Sequence, residues 1–307
     1  MKTLLVAASH AIEEWVALFS AALPDHDVRA SPPPGGTTDY LAVGVPPPGL
    51  FEFLDGLQLI LSLNAGVDRL LACDSLPPST PIVRLTDDGL TLGMVEWVLA
   101  RALAWHRQLF AYHQDQADRV WSPRPEVLAR ERTAVVLGAG ALGGPVATAL
   151  AQVGFRTRVW SRAAHTFPGV AAFAGPGAFA TALDGADILV NLLPLTADTK
   201  GVIDRAALAR LAPGALVING GRGGHVVDED LLAALDTGGL GEAALDVFQE
   251  EPLPADHPFW RHPRVRLSPH VAAPTHARTA VAVMAETIRR FERGEPIGPL
   301  VDRTRGY

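Results

Sequence analysis

The sequence predicts an α/β protein made of two doubly wound parallel-sheet domains. Three observations carry the prediction. Short apolar runs alternate with helical stretches through the 307-residue chain. The alternation falls into two series, separated by a helical stretch and a break at Trp121-Ser-Pro-Arg-Pro. The second series opens with a strand, a glycine turn and a helix in that order, the local order of a dinucleotide-binding sheet.

In the first series, residues 4–7, 40–43, 59–63 and 82–85 are short, mainly apolar runs and read as buried parallel strands. Residues 11–22 read as an amphipathic helix, and the Pro/Gly clusters at 32–36 and 46–49 as loops. Residues 92–117 contain few breakers and read as one long helix, able to bridge two domains or to cover a second subunit. The second series places strands at 134–137, 157–160, 188–191, 215–219, 243–245 and 265–267, with helices between them. Right-handed crossovers through these strands make a doubly wound sheet. A last helix is expected at 275–293, before a polar tail.

Composition narrows the function. Charged residues make up 19%, the net charge is −7 and no basic block occurs, which argues against nucleic acid or an anionic membrane surface as partner. Cys73 is the only cysteine, so neither an intrachain disulfide nor a cysteine-based metal site can form, and no metal is expected. The N-terminal apolar run is too short for a signal peptide and gives way to His10, Glu13 and Glu14. A soluble cytoplasmic protein is the expectation.

The turn reads Gly138-x-Gly140-x-x-Gly143 between strand and helix. Gly138 allows the tight turn, Gly140 lets backbone approach a pyrophosphate, and Gly143 lets the helix pack on the strand. Ala141, Leu142 and the helix N-terminus add main-chain N–H groups for the anion. An NAD site usually has a carboxylate about 20 residues further on, for the ribose 2′-OH. No Asp or Glu occurs between Glu131 and Asp184, and the second strand ends in Ser161-Arg162. A hydroxyl and a guanidinium suit a 2′-phosphate, so NADP, with NADPH preferred and NAD possible, is the expected cofactor.

Three charged residues fall after later strands, where α/β sheets place ligands. Arg222 lies among glycines and has a planar fork that matches a keto acid's carboxylate and carbonyl. Glu251 and His270 follow the last two strands. A His oriented by a carboxylate can give a proton to a carbonyl oxygen as hydride arrives. Arg222 would stabilise the developing charge. Asp246 reads as a structural or cofactor-side acceptor.

Together the glycine motif, Gly-Gly-Arg-Gly at 220–223, Leu-Asp-Val-Phe at 245–248 with Glu251-Pro-Leu-Pro, and Ser-Pro-His-Val-Ala at 268–272 resemble the D-isomer-specific 2-hydroxyacid dehydrogenases. Residues 64–68, Asn191-Leu-Leu-Pro194 and the closing Arg-Gly-Tyr extend the resemblance over nearly the whole chain. The Trp-Ser-Arg strand end and that tail are most similar to the glyoxylate/hydroxypyruvate reductase subgroup. The resemblance implies Arg222, Glu251 and His270 as the catalytic set. It implies main-chain groups of Ala65, Gly66 and Val67 on the substrate carboxylate, and Leu193, Pro194 and Gly221 beside the cofactor. It also implies a Rossmann NADP-binding domain, residues 101–274, inserted in a flavodoxin-like split substrate domain, residues 1–100 and 275–307. The active site is then a cleft between domains in a homodimer, acting on a small 2-keto acid to give a D-2-hydroxy acid.

Two local departures stand out. Gly44 occupies a position where the subgroup has Trp, which is expected either to widen the pocket, admitting a larger 2-keto acid, or to leave a wall for another side chain to supply. The arginine loop carries extra glycine, which is expected to loosen Arg222. Other readings on this fold are a nucleotide-sensing corepressor and a formate or phosphite dehydrogenase. The complete Arg–Glu–His set and the lack of a basic tail weigh against the first, and the NADP expectation against the second.

Overall fold

The computed structural model describes residues 1–32 and 36–307. The loop expected at 32–36 falls mostly outside the described residues. In chain order the elements are β1 (Lys2–Ala7), α1 (Ile12–Ala22), β2 (His26–Arg29), β3 (Tyr40–Val43), β4 (Leu59–Ser62), α2 (Asp68–Leu71), β5 (Ile82–Arg84) and α3 (Asp88–His106). Then come α4 (Leu109–Asp118), β6 (Thr133–Leu137), α5 (Gly143–Val153), β7 (Arg156–Ser161), β8 (Val170–Ala174), α6 (Phe179–Leu183) and β9 (Ile188–Asn191). The chain ends with α7 (Arg205–Leu208), β10 (Ala215–Asn219), α8 (Asp228–Asp236), β11 (Leu240–Leu245), β12 (Val265–Leu267) and α9 (Ala277–Glu292). Two compact units result, residues 1–90 with 275–307, and residues 91–274.

In the first unit a five-stranded sheet runs β2-β1-β3-β4-β5, every pairing parallel. This is the flavodoxin-like order. Strands β3 and β4 are buried along their whole length, as their apolar runs require. Leu5, Leu41, Val43, Ile60 and Ile82 share one core with Phe51 and Leu70. On α1 the buried Trp15 and Phe19 stack, and the helix packs against α9. The C-terminal tail closes the β5 edge through Val301 N–H to Ile82 O at 2.8 Å and Arg84 N–H to Pro299 O at 3.2 Å.

In the second unit a seven-stranded parallel sheet runs β12-β11-β10-β9-β6-β7-β8. The order reverses between β6 and β9, which makes the crevice at their carboxyl ends the topological switch point. Alternate residues face opposite ways. Val135, Leu137, Leu189 and Val217 pack on the face that holds Leu183, Leu208 and Leu231 of α6 to α8. Val136, Val190 and Ile218 pack on the face that holds Val98 of α3 and Leu150 of α5.

Three expectations are corrected. Strand β2, His-Asp-Val-Arg, lies at a sheet edge, is only half-buried, and carries no apolar run to reveal it. Strand β8 is the other unit's edge strand, with its alanines largely exposed. The single helix expected at 92–117 is two helices, because Gln108 takes a left-handed conformation at φ 56° between α3 and α4. Its side-chain amide donates to Pro125 O at 3.2 Å, which ties the break to the following loop.

His106, the last residue of α3, is buried edge-on against Phe155 at 5.3 Å, and its Nδ1 has no hydrogen-bond partner among the described residues. Burial, followed by the Arg132 and Arg107 charges, holds its imidazole below the ordinary value. The protonated ring is therefore penalised in the folded state. Stability is present above the ordinary imidazole value of about 6.5 and is lost as pH falls through the lowered one. His106→Phe keeps the ring contact and removes this titration. Its melting temperature is expected to fall less than the parent's between about pH 7.5 and about pH 5, and equal losses would exclude His106 as a source.

Candidate active site

The register of the second sheet sets out the site. Leu137 pairs with Asn191, Asn191 with Asn219, Asn219 with Leu245, and Leu245 with Leu267. These residues form one row at the carboxyl edge. The segments that leave it are Gly138–Gly143, 192–194, 220–224, 246–251 and 268–272. Every second-unit residue singled out for chemistry lies on one of them, except Ser161 and Arg162 at the end of β7.

The three glycines of the turn are held by different constraints. Gly138 has φ 104°, and a Cβ there would lie 2.8 Å from Leu192 O. A Cβ on Gly143 would lie 1.9 Å from Gly138 O, so α5 meets the turn with no room for a methyl group. A Cβ on Gly140 would meet nothing within 4 Å. No neighbour among the described residues explains that glycine, and the open space beside it would suit a pyrophosphate. The first turn of α5 offers main-chain N–H groups beside it.

At the end of β7, Trp160 is fixed by its indole N–H to Gly175 O at 2.9 Å and by edge contact with Phe179. Ser161 Oγ donates to Ala163 O at 2.6 Å, and Arg162 is exposed.

His270 and Glu251 are in direct contact. His270 Nδ1 donates to Glu251 Oε2 at 2.8 Å, and Glu251 Oε1 accepts from Phe248 N–H at 3.1 Å. The His270 side chain is 45% exposed and that of Glu251 17%, so the ring reaches outward from a sheltered carboxylate. With Nδ1 committed to Glu251, Nε2 is the ring nitrogen left for a further partner. His270 has φ 55°, a left-handed backbone that a bulky residue adopts only when the surroundings impose it. Asp246 supplies that constraint. Its Oδ1 accepts from Ser268 Oγ at 2.6 Å and Val271 N–H at 3.0 Å, and its Oδ2 from Ala272 N–H at 2.8 Å. Its carbonyl accepts from His270 N–H at 2.8 Å.

Arg222 lies on the neighbouring strand end. Its Nη1 donates to Gly221 O at 2.8 Å. The loop is packed, contrary to the loosening expected from its glycines. A Cβ on Gly223 would overlap Phe248 at 1.9 Å, Met94 and Leu192 crowd Gly220, and Leu195 crowds Gly224. Main chain at Gly223 and side chains at Gly220 and Gly224 fill the space that larger residues would take.

Ala65, Gly66 and Val67 belong to the first unit, after β4 and before α2. Ser62 Oγ donates to Asn64 O at 2.9 Å, and Thr275 Oγ1 to Leu63 O at 2.7 Å. A Cβ on Gly44 would have only Asn64 Nδ2 nearby, at 3.7 Å.

A family profile described as the NAD binding domain of D-isomer specific 2-hydroxyacid dehydrogenases matches residues 99–272. The chain belongs to the D-isomer specific 2-hydroxyacid dehydrogenase family. It is therefore an NAD(P)-dependent oxidoreductase. It is 44% identical over 301 residues to glyoxylate/hydroxypyruvate reductase A of Klebsiella pneumoniae (strain 342), covering 95% of this chain and 96% of that one. It superposes with TM-score 0.95 at 38% identity on a family member from Xanthobacter autotrophicus Py2 in complex with NADPH and MES, over 100% of this chain and 99% of that one. It superposes equally, at 35% identity and over 100% of both chains, on an NADPH-dependent glyoxylate/hydroxypyruvate reductase from Sinorhizobium meliloti in complex with NADP and sulfate.

Sequence reasoning in this dehydrogenase missed the polar residues beneath the site. Asn191 and Asn219 are buried at the row itself, and His225 is buried just past Arg222. The available signal was an asparagine ending each of two apolar strands.

The glycine geometry separates two variants. Gly143→Ala is expected to lower the melting temperature by several degrees, since backbone must move. Gly140→Ala is expected to leave it unchanged. Equal melting temperatures in both variants would contradict the close packing described for Gly143.

Proposed function

We propose that the chain is an NADPH-dependent reductase of small 2-keto acids, glyoxylate and hydroxypyruvate first, which makes D-2-hydroxy acids. The observation that carries the reading is the His270–Glu251 pair at 2.8 Å, on the carboxyl edge of the sheet that holds the glycine turn. The 2-keto acid substrate is supported by the names of the relatives at 41–44% identity, all glyoxylate/hydroxypyruvate reductase A.

In this reading Gly138, Gly140, Ala141, Leu142 and Gly143 hold the pyrophosphate, and Leu193, Pro194, Gly221 and Asp246 border the nicotinamide. Ser161 and Arg162 take the 2′-phosphate, in a stretch without a carboxylate to repel it. The Ser161 hydroxyl must turn from Ala163 O to donate there. NADPH, when bound, supplies the hydride. Arg222 binds the keto acid through carboxylate and carbonyl, and main-chain N–H groups of Ala65, Gly66 and Val67 hold the carboxylate. His270 delivers the proton to the carbonyl oxygen from Nε2, and Glu251 keeps the ring oriented through Nδ1. Gly44 favours a second substrate reading, a larger 2-keto acid, because it leaves space beside Asn64.

The test is NADPH or NADH oxidation with glyoxylate, hydroxypyruvate, pyruvate and phenylpyruvate. A preference for NADH would sink the 2′-phosphate assignment, and a preference for phenylpyruvate would favour the larger pocket. In His270→Ala, kcat should fall by roughly 10²- to 10⁴-fold with NADPH still bound, whereas unchanged turnover would exclude His270 as the acid. Gly140→Ala, fully folded, should bind NADPH at least about tenfold more weakly, since its Cβ enters the phosphate cradle.

A homodimer, in a reducing cytoplasm, completes the proposal. Helix α4 has no buried residue, and Leu109, Tyr112, Val120 and Trp121 are exposed along it and just beyond, Trp121 by 98%. Apolar surface of this kind calls for a cover, and a second copy of the same segment provides one. Light scattering should give the dimer mass for the parent and a shift toward monomer for Trp121→Asp. A parent that runs as a monomer refutes the proposal.

A further inference from the structure

Beneath Arg222 lies a buried polar network that the chemistry above does not use. Three side chains form it: Asn191 at the end of β9, Asn219 at the end of β10, and His225 three residues past Arg222. They are 0%, 1% and 0% exposed.

Two main-chain donors fix the orientation of both amides. Leu193 N–H donates to Asn191 Oδ1 at 3.3 Å, and Gly221 N–H to Asn219 Oδ1 at 3.2 Å. A peptide N–H cannot accept, so neither amide can be reversed. The Asn191 amide therefore points its Nδ2 at Asn219 Oδ1, 2.9 Å away, and at His225 Nδ1, 2.9 Å away. Arg222 N–H aims at the same Nδ1 from 3.2 Å. Two donors converge on that nitrogen, so it carries no proton. The Arg222 carbonyl also lies 3.1 Å from Nδ1, but it already accepts from Asn219 Nδ2 at 3.0 Å and from His225 N–H at 3.3 Å. The proton then sits on Nε2 and is donated to Pro194 O at 3.2 Å, a carbonyl that also accepts from Thr199 Oγ1 at 2.7 Å.

We infer that His225 is a positioning residue of the dehydrogenase, locked as the neutral Nε2–H tautomer. Through Nδ1 it fixes the main chain of Arg222. Through Nε2–H it fixes the Pro194 carbonyl on the cofactor side. Arg222 is thus held at its own N–H and C=O, and its guanidinium starts from one backbone conformation. The inference rests on the proposal that Arg222 binds the keto acid and that Pro194 borders the cofactor.

Two substitutions divide the two bonds. In His225→Asn, Oδ1 takes the place of Nδ1 and accepts from Arg222 N–H and Asn191, but nothing reaches Pro194. In His225→Gln, the amide reaches Pro194 O, and the acceptor for Arg222 N–H is lost. A buried donor without its acceptor makes the second loss the larger one. For glyoxylate, kcat/KM is expected to stay within about threefold of the parent in His225→Asn and to fall about tenfold to about hundredfold in His225→Gln. For NADPH the KM should rise in His225→Asn and not in His225→Gln. Equal losses in both variants, or no loss in either, would overturn the inference.

A second measurement needs neither variant folded nor any turnover. Nitrogen-15 spectra of the histidines in the parent should show one ring with Nδ1 unprotonated and Nε2 protonated, unchanged across the ordinary imidazole range. Assignment uses selective labelling and proximity to Arg222 N–H. An Nδ1-protonated or cationic ring at His225 would overturn the inference. A parent that keeps this tautomer but reduces no 2-keto acid would instead refute the proposed function.

Discussion

Parallel pairing in register brings Leu137, Asn191, Asn219, Leu245 and Leu267 side by side, and each strand then releases its chain within a few residues of that row. Leu137 and Asn191, 54 positions apart in sequence (191 − 137), become neighbours for this reason alone. The pairing is bought by apolar burial on two faces, since β6, β9, β10 and β11 are packed between helices. Loops leaving a buried edge have polar backbone to satisfy, and that need dictates what stands at the row. Asn191, Asn219 and Asp246 all sit there, at most 1% exposed.

Each of these polar side chains makes hydrogen bonds to loop atoms. Asn219 serves Gly221 N–H and Arg222 O, Asn191 serves Leu193 N–H, and Asp246 serves Ser268, Val271 and Ala272. Glycine does the complementary work where atoms must come closer than a Cβ permits, at Gly143 against Gly138 O and at Gly223 against Phe248. Rigid loops on a rigid edge are what a site needs when its groups must hold their geometry.

Much of this was legible in the sequence, and the reasons are physical. Buried parallel strands write themselves as apolar runs, so β3, β4, β9 and β10 were plain. The glycine turn was plain because a turn, a close approach and a helix start each demand glycine at a fixed spacing. The places of Arg222, Glu251 and His270 past strand ends were legible because each follows an apolar run by a few residues. Edge strand β2 was not, because a half-exposed strand needs no apolar run, and β8 was not, because its short Val-Ala-Ala-Phe-Ala run reads equally as helix. The break at Gln108 was not, because nothing but tertiary contact puts a glutamine in a left-handed conformation. His225 was not, because one histidine among ten becomes informative only when its two ring nitrogens have partners.

The two carboxylates near His270 show how burial divides roles between like groups. Asp246 is 1% exposed, and three donors converge on its oxygens, so its charge is consumed in holding the 268–272 segment. Glu251 accepts from the Phe248 N–H on Oε1 and from the imidazole on Oε2. It can answer a change of charge on the ring without any loop moving. The strained φ of His270 belongs to the same arrangement: Asp246 holds the backbone of that residue, Glu251 holds its side chain, and the ring is left with Nε2 as its one open atom.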